Sequence, residues 1–420
     1  MTKPTKPKGF LFDVRVLEVA DHRGEFLGKL LAGAGARVTK VEPPGGNLTR
    51  RIGPFYEDSG DPEESLHFWH YNVGKRGITL DLENPEGQRI FKELVGNTDV
   101  LVETNPPGYM GSLGLAYSDL KTENPGLVYV SISDFGQDGP RKHWQASDLV
   151  HLALGGVMMN CGYDSNPDGS YDSPPIAPQM WHASHIVCNQ TYIAILGALM
   201  HRERTGSGQY VDAAINHAIN VSTEMDIPFF TYNRTTVKRQ TGRHASTTRT
   251  PNAQAMTKDG RYVNASLGIG VGAKVQIDML RKQGVADDLA DAKYDDPEVS
   301  SDPVVGRHVN DVIKRWIRSY KLDQDLWKIG QGYKMHWVPV RRPEENLDDA
   351  HWRARKTFAE VEHEDLGRTF TYNGAPWLAE HCPWSTGPRA PHLGEHNDEI
   401  LEALGHDAGS IAELSSQGVI

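Results

Sequence analysis

Apolar, β-branched residues dominate six short runs in the first half of the chain, and polar or turn-forming residues bound each run. These runs predict strands at 15–20, 37–42, 77–82, 99–103, 127–133 and 209–215. Segments with helical periodicity lie between them, at 25–31, 85–95, 117–125 and 182–202. Strands that alternate with helices form a parallel sheet covered by helices. The expected fold class is therefore α/β, with an open Rossmann-like large domain.

The pattern changes after residue 225. A polar loop rich in Arg and Thr precedes the alternating stretch 255–268, in which an Asp-Gly pair favours a hairpin turn. This texture predicts a small α+β domain. The predicted division is a large α/β domain at 1–225, the small domain at 226–325, and a linker with a C-terminal arm at 326–420 that returns to the large domain.

Composition narrows the classes of partner. The 420 residues carry a formal net charge of −11 and no basic stripe, which argues against a nucleic-acid surface. The longest apolar run, 191–200, is shorter than a membrane span, and the basic start has no apolar segment after it. The three cysteines lie far apart, which is typical of reduced thiols. We expect a cytoplasmic protein without a membrane or nucleic-acid partner.

Several common site motifs are missing from the sequence. The turn after the first strand has neither a GxGxxG string nor a Walker lysine, so no dinucleotide or P-loop site is expected. His182, His185 and Cys188 share one predicted helix face, but without a fourth ligand they favour an ordinary polar face over a metal site. Asp148 begins a predicted helix, where we expect it to act as the N-cap. No metal or resident cofactor is expected.

Six strings in order carry a resemblance. They are VTKVEPPGG (38–46), NVGKRGITLDLENPEG (72–87), DVLVETNPPG (99–108), NPGLVYVSISDFGQDGP (124–140), ERTGSGQYVDAAI (203–215) and RAPHLGEHNDEIL (389–401). In these strings the chain resembles the family III CoA-transferases, the group of formyl-CoA, carnitine and bile-acid CoA-transferases. The resemblance implies two interlocked subunits, each with a large and a small domain, and coenzyme A thioesters as substrates. It also implies an aspartate that attacks the thioester and forms a mixed anhydride.

The chain departs from this family at the nucleophile. The family's aspartate position falls on Ser184. A serine ester is less activated than an anhydride, so return of the acyl group to CoA thiolate would be uphill. Four positions that bind CoA in the family also differ, which removes positive charge from an anion site. They are Arg23, Pro43, Glu83 and Ser112. Other basic residues remain that could bind phosphates, namely Lys40, Lys75 and Arg76.

These departures favour a non-catalytic subunit whose partner is a homologous catalytic chain. The resemblance extends to the two-subunit succinyl-CoA:benzylsuccinate CoA-transferases of anaerobic toluene degradation. We therefore expect succinyl-CoA as donor and an aromatic succinate as acceptor, with Trp181, His182 and His185 lining the pocket. Two alternatives stay open: a self-sufficient transferase that uses another acid such as Asp148, and a non-enzymatic scaffold protein.

Overall fold

The computed structural model describes residues 8–223, 225–266 and 272–420. The basic start and the end of the predicted hairpin, at 267–268, lie outside these ranges. The chain divides into two units. The large unit comprises Met1–Met158, Ala177–Glu224 and Leu347–Ile420, and the small unit comprises Met159–Ile176 and Met225–Asn346. The small unit thus includes 159–176 and 326–346, which the sequence pattern assigns to the large domain and the C-terminal segment.

Six parallel strands form the sheet of the large unit. They are β1 (Arg15–Val19), β2 (Arg37–Glu42), β3 (Arg76–Thr79), β4 (Val100–Glu103), β5 (Val128–Ser133) and β6 (Gln209–Ala214). The spatial order is β3-β2-β1-β4-β5-β6, and β1 lies between β2 and β4, with Val16 paired to Val38 on one side and to Val100 on the other. This order is that of a Rossmann-type doubly wound sheet, with its switch point between β1 and β4. The predicted α/β class is confirmed.

Helices cover both faces of this sheet. They are α1 (Glu25–Gly33), α2 (Leu66–Asn72), α3 (Pro85–Gly96), α4 (Tyr109–Ser112), α5 (Tyr117–Leu120), α6 (Asp148–Leu154), α7 (His182–Thr205) and α8 (Ile215–Val221). Successive strand residues point to opposite faces, so Val16 joins the core under α1, α7 and α8 while Leu17 joins the core under α3. Both faces of the strands are therefore buried, which explains their nearly continuous apolar runs.

Helix α7 is long and apolar. By length and composition alone it could cross a membrane. The helix is longer than the ten-residue apolar run at 191–200 that the sequence shows. Seven of its residues are buried, among them Val187, Ile195 and Ala198, which pack into the core of the large unit. A core helix of a folded domain satisfies the same test. Because of this packing, we describe α7 as the central helix on one face of the sheet.

The small unit combines helices with a three-stranded antiparallel sheet. Its elements are α9 (Asp226–Asn233), β7 (Gln254–Met256), β8 (Tyr262–Ser266), α10 (Ala273–Lys282), α11 (Pro297–Ser300), α12 (Pro303–Arg318), α13 (Trp327–Gly332) and β9 (His336–Pro339). The predicted hairpin is β7 and β8, and β9 pairs with β8. Trp337 of β9 is fully buried among the apolar side chains of α10 and α12.

The C-terminal segment returns to the large unit. It contains α14 (Ala350–Ala354), β10 (Phe358–His363), β11 (Arg368–Asn373), α15 (Asn397–Ala403) and α16 (Ala408–Ser416). Strands β10 and β11 form an antiparallel hairpin. Leu401 of α15 is fully buried in the core on the α3 face of the sheet. This contact fixes the end of the chain against the large unit.

Candidate active site at the start of helix α7

Ser184 lies in the first turn of α7, on the side that faces the protein core. The residue is 3% exposed, and its neighbours Ala183 and Val187 pack into the core of the large unit. One turn further on, the Cys188 thiol donates a hydrogen bond of 3.3 Å to the carbonyl oxygen of Arg23. Ser184 Oγ has no hydrogen bond to any residue that the structure describes. No base among the described residues is therefore hydrogen-bonded to the serine hydroxyl.

Asp148 caps the helix that carries this serine. Its Oδ1 accepts hydrogen bonds from the backbone N–H groups of Ala183, at 2.8 Å, and Ser184, at 3.2 Å. The residue before α7 is Trp181, in a left-handed conformation with φ of 66°, and it supplies no capping acceptor. The expectation that Asp148 caps its own helix is wrong: it is the first residue of α6 and makes no cap there. A carboxylate at the start of α7 also meets the positive end of the helix dipole.

Aromatic and imidazole rings surround this turn. We call them the ring cluster, and its members are His22, Phe26, His67, His70, Tyr71, Trp181 and His185. The Trp181 ring lies 5.3 Å from His67, and His185 lies 4.2 Å from Phe26. The Tyr71 hydroxyl is 2.8 Å from His185 Nε2, and burial lowers the pKa of His185. The structure thus brings Trp181 and His185 together and leaves His182 exposed.

A buried lysine adjoins the ring cluster. Lys29 is 7% exposed, and its Nζ lies 3.1 Å from His70 Nε2. Burial lowers the pKa of Lys29 to about 7, and the nearby Lys75 ammonium lowers it further in the same direction. Burial likewise lowers the pKa of His70 to about 3, with the charge of Lys29 contributing. No carboxylate among the described residues pairs with this amine. Lys29 is therefore partly neutral near pH 7.

Lys40 and Lys75 are structural residues. Both side chains have no exposed surface, and Lys40 Nζ lies 2.8 Å from Glu25 while Lys75 Nζ lies 2.8 and 2.9 Å from the two oxygens of Glu18. Burial by itself would raise the pKa of Glu25, but the Lys40 and Lys75 ammonium groups and the neighbouring His67 together outweigh it and hold that pKa well below its usual range. Charges that are buried and paired in this way do not reach a phosphate ligand. Of the three alternative phosphate ligands, only Arg76 is partly exposed, and it pairs with Glu399 at 2.9 Å.

The four positions that differ from the CoA-binding pattern lie along one edge of the sheet. They follow the carboxyl ends of four adjacent strands, and they are Arg23 after β1, Pro43 after β2, Glu83 after β3 and Ser112 after β4. In doubly wound sheets this edge is where ligands bind. Pro43, Glu83 and Ser112 are exposed. The edge therefore offers one acidic side chain and no cation at these three positions.

Arg23 is the remaining cation of the four, and the protein itself engages it. Its Nη2 lies 2.9 Å from an Asp21 carboxylate oxygen and donates to the Thr104 carbonyl at 2.6 Å. Its Nη1 lies 3.4 Å from Asp134. Two carboxylates thus neutralise the guanidinium at the switch point between β1 and β4. An anionic ligand would have to compete with both of them.

The described residues contain no group of three or more His, Cys, Asp or Glu side chains placed to hold a metal ion.

The sequence analysis missed several members of the site. Lys29, His67, His70 and Tyr71 were not singled out, although the string HFWHYN at 67–72 places five rings within one short helix. That concentration of rings was the available signal.

Comparison with known proteins identifies the fold and the family. The model of CoA-transferase family III matches residues 11–397. The chain is 32% identical to a succinyl-CoA:(R)-benzylsuccinate CoA-transferase subunit of Thauera aromatica, over 97% of each protein. It is 31% identical to the succinyl-CoA–L-malate CoA-transferase β subunit of Chloroflexus aurantiacus, over 98% of each.

Solved structures agree with this assignment. A CAIB/BAIF family protein from Brucella suis superposes with a TM-score of 0.79 and 25% identity, covering 94% of this chain and all of that one. Its similarity extends through both units of the fold. From the match of the family model and the identities over nearly the full length, the chain is a member of CoA-transferase family III.

Proposed function

We propose that this chain is the non-catalytic subunit of a two-subunit CoA-transferase that moves CoA from succinyl-CoA to a benzylsuccinate-type acid. A homologous chain that keeps the aspartate would be the catalytic partner. The observation that carries the proposal is Ser184, a buried hydroxyl without a hydrogen-bonded base at the position of the family's nucleophile. The cytoplasmic location and the interlocked arrangement of the two chains are part of the same proposal.

The chemistry of the site supports this role. Covalent catalysis in this family needs a carboxylate, because only an anhydride is activated enough to return the acyl group to a thiolate. The carboxylate that contacts the Ser184 turn is Asp148, and its Oδ1 already accepts two backbone hydrogen bonds. A carboxylate that holds a helix start in place is a poor nucleophile, since attack would remove the cap. Asp148 is therefore a positioning residue in this proposal.

Surface features favour a partner chain. Ile193 and Met200 on α7 are 69% and 55% exposed, and Val221 at the end of α8 is 72% exposed. Large apolar side chains that are exposed together on one unit are typical of a surface that another protein covers. Two relatives are described as a subunit of a transferase, one for (R)-benzylsuccinate and one for L-malate. Both use a succinyl-CoA donor by their names, which supports the proposed donor.

The test is a reconstitution. The chain and its candidate partner are purified separately and together, and succinyl-CoA-dependent CoA transfer to benzylsuccinate is measured. We expect turnover only from the mixture, and loss of turnover when the partner's aspartate is changed to Asn. Hydroxylamine trapping followed by mass spectrometry should locate the acyl adduct on the partner and leave this chain unmodified.

Two outcomes would replace the proposal. Robust turnover by the isolated chain, with an adduct on Asp148, would support a self-sufficient transferase. Absence of any complex with the aspartate-bearing homologue, and no effect on its activity, would support a scaffold protein. A Ser184→Asp variant adds a control, because it restores a carboxylate at the family position without changing the rest of the site.

A further inference from the structure

A second candidate site lies in the small unit. It is a cleft of about 770 Å³ between the face of α12 and the segments that flank β7 and β8. Pockets that bind small molecules have volumes in this range. The α12 residues that line it, among them Arg307, Asn310 and Lys314, recur at intervals of three or four and so share one helix face. Every lining residue belongs to the small unit.

Positive side chains outnumber negative ones in this cleft. Arg249, Arg307 and Lys314 line it and form no ion pair or hydrogen bond with any residue that the structure describes. The cleft has two acidic side chains, of which Asp164 is engaged by Arg243 at 2.8 and 3.2 Å. The other, Asp311, forms no ion pair with a described residue, so three free cations face one free carboxylate in a protein whose overall charge is −11.

An amide side chain without a protein partner also lines the cleft. Gln276 of α10 lines the cleft, is 5% exposed, and has no hydrogen-bond partner within the described ranges. A polar ligand in the cleft would give this amide a hydrogen-bonding partner.

We propose that this cleft binds a small organic dianion through Arg249, Arg307 and Lys314, with Gln276 as a hydrogen-bonding partner. Guanidinium groups pair with carboxylates and phosphates through two parallel hydrogen bonds, and lysine adds a point charge. The two sources of such an anion are a dicarboxylic acid and the phosphates of a nucleotide. The inference does not rest on the inactivity of Ser184, because binding is a property of this chain alone.

Titration calorimetry on the full-length chain tests this site with two probes, succinate and 3′-phosphoadenosine 5′-diphosphate. We expect saturable binding of at least one probe at low salt, and the tighter of the two identifies the source. The variants Arg307→Gln and Gln276→Leu should each weaken that binding about tenfold or more, since a hydrogen bond to a charged group contributes about 1.5–3 kcal/mol.

The matched control is Arg318→Gln, an exposed arginine on the same helix that does not line the cleft. It removes the same charge and should leave the affinity unchanged. Circular dichroism confirms that each variant is folded. The proposal is overturned if neither probe binds saturably at millimolar concentration, or if Arg318→Gln weakens binding as much as Arg307→Gln does. The first result would mean that the cleft binds neither anion, and the second that binding depends only on the overall charge of the protein.

Discussion

Replacing Lys29 with methionine should stabilise the protein in a pH-dependent way. Lys29 is 7% exposed, and burial together with the Lys75 ammonium lowers its pKa from 10.5 to about 7. A methionine has a similar length and no charge to desolvate. Lys29 is thus a buried amine that lowers the stability of the fold, which is typical of residues kept for function.

The magnitude follows from proton linkage. The pKa of this lysine is lower in the folded protein than in the unfolded chain, so the unfolded chain binds more protons between pH 7 and 10.5, and wild-type stability rises with pH across that window. A fall in the pKa of Lys29 from 10.5 to about 7 lowers the free energy of unfolding of the wild-type protein by about 5 kcal/mol below pH 7 and by about 4 kcal/mol at pH 7. Loss of the Lys29–His70 hydrogen bond offsets about 1 kcal/mol of this.

Urea denaturation of the full-length chain, followed by tryptophan fluorescence, measures the effect between about pH 6 and about pH 9. Lys29→Met should be the more stable protein at pH 7, and its advantage should shrink as pH rises. Lys92→Met, at an exposed lysine of α3, controls for the loss of a lysine as such. A variant less stable than wild type at pH 7, or an advantage that does not change with pH, would refute the reasoning.

Substitutions at three further positions, with one control, test the framework of the site by thermal denaturation. Asp148→Ala should lower the free energy of unfolding by about 1–2 kcal/mol because the α7 cap is lost, and Asp148→Asn should lower it less. The two-subunit complex should retain CoA transfer with the Asn variant. A folded but inactive Asn variant would contradict the positioning role. Arg50→Met should lower the free energy of unfolding by about 3–5 kcal/mol, because the buried carboxylate of Glu42 loses the guanidinium that it contacts at 2.8 and 2.9 Å. An unchanged melting temperature would contradict this stabilising role of the ion pair. Gly28→Ala should destabilise the fold, since the added Cβ would lie 1.6 Å from a buried glutamate oxygen. Gly96→Ala is the control and should not destabilise the fold, because no atom lies within 4 Å of its added Cβ. Equal effects of the two substitutions would contradict this packing.

The parallel sheet was predictable because its strands are buried on both faces. Each of the six predicted strands coincides with an observed one to within three residues at either end. Strands of this kind read as continuous apolar runs, which few other elements produce. Local sequence therefore carried enough information to define the large unit's sheet. The order of the strands in space was not readable, because it depends on contacts between distant segments.

The C-terminal hairpin was missed for the opposite reason. Strands Phe358–His363 and Arg368–Asn373 lie in the segment predicted as a linker and arm. Most of their residues are exposed or half-buried, and charged and apolar positions are mixed along both. The signal of a half-exposed hairpin is short and weak compared with that of a buried strand. Burial of Val361 and Tyr372 against α2 became visible only in the fold.

The sequence by itself determined the family and the α/β sheet, and it led to the prediction that Ser184 stands at the family's nucleophile position. Tertiary structure decided how that serine is surrounded: Lys29 meets His70, Tyr71 meets His185, and Asp148 caps the turn at Ser184. These partners are between 36 and 114 positions apart in the chain. Propensity and periodicity act over a few residues, whereas burial, pKa and hydrogen bonding are set by whichever segments the fold brings into contact.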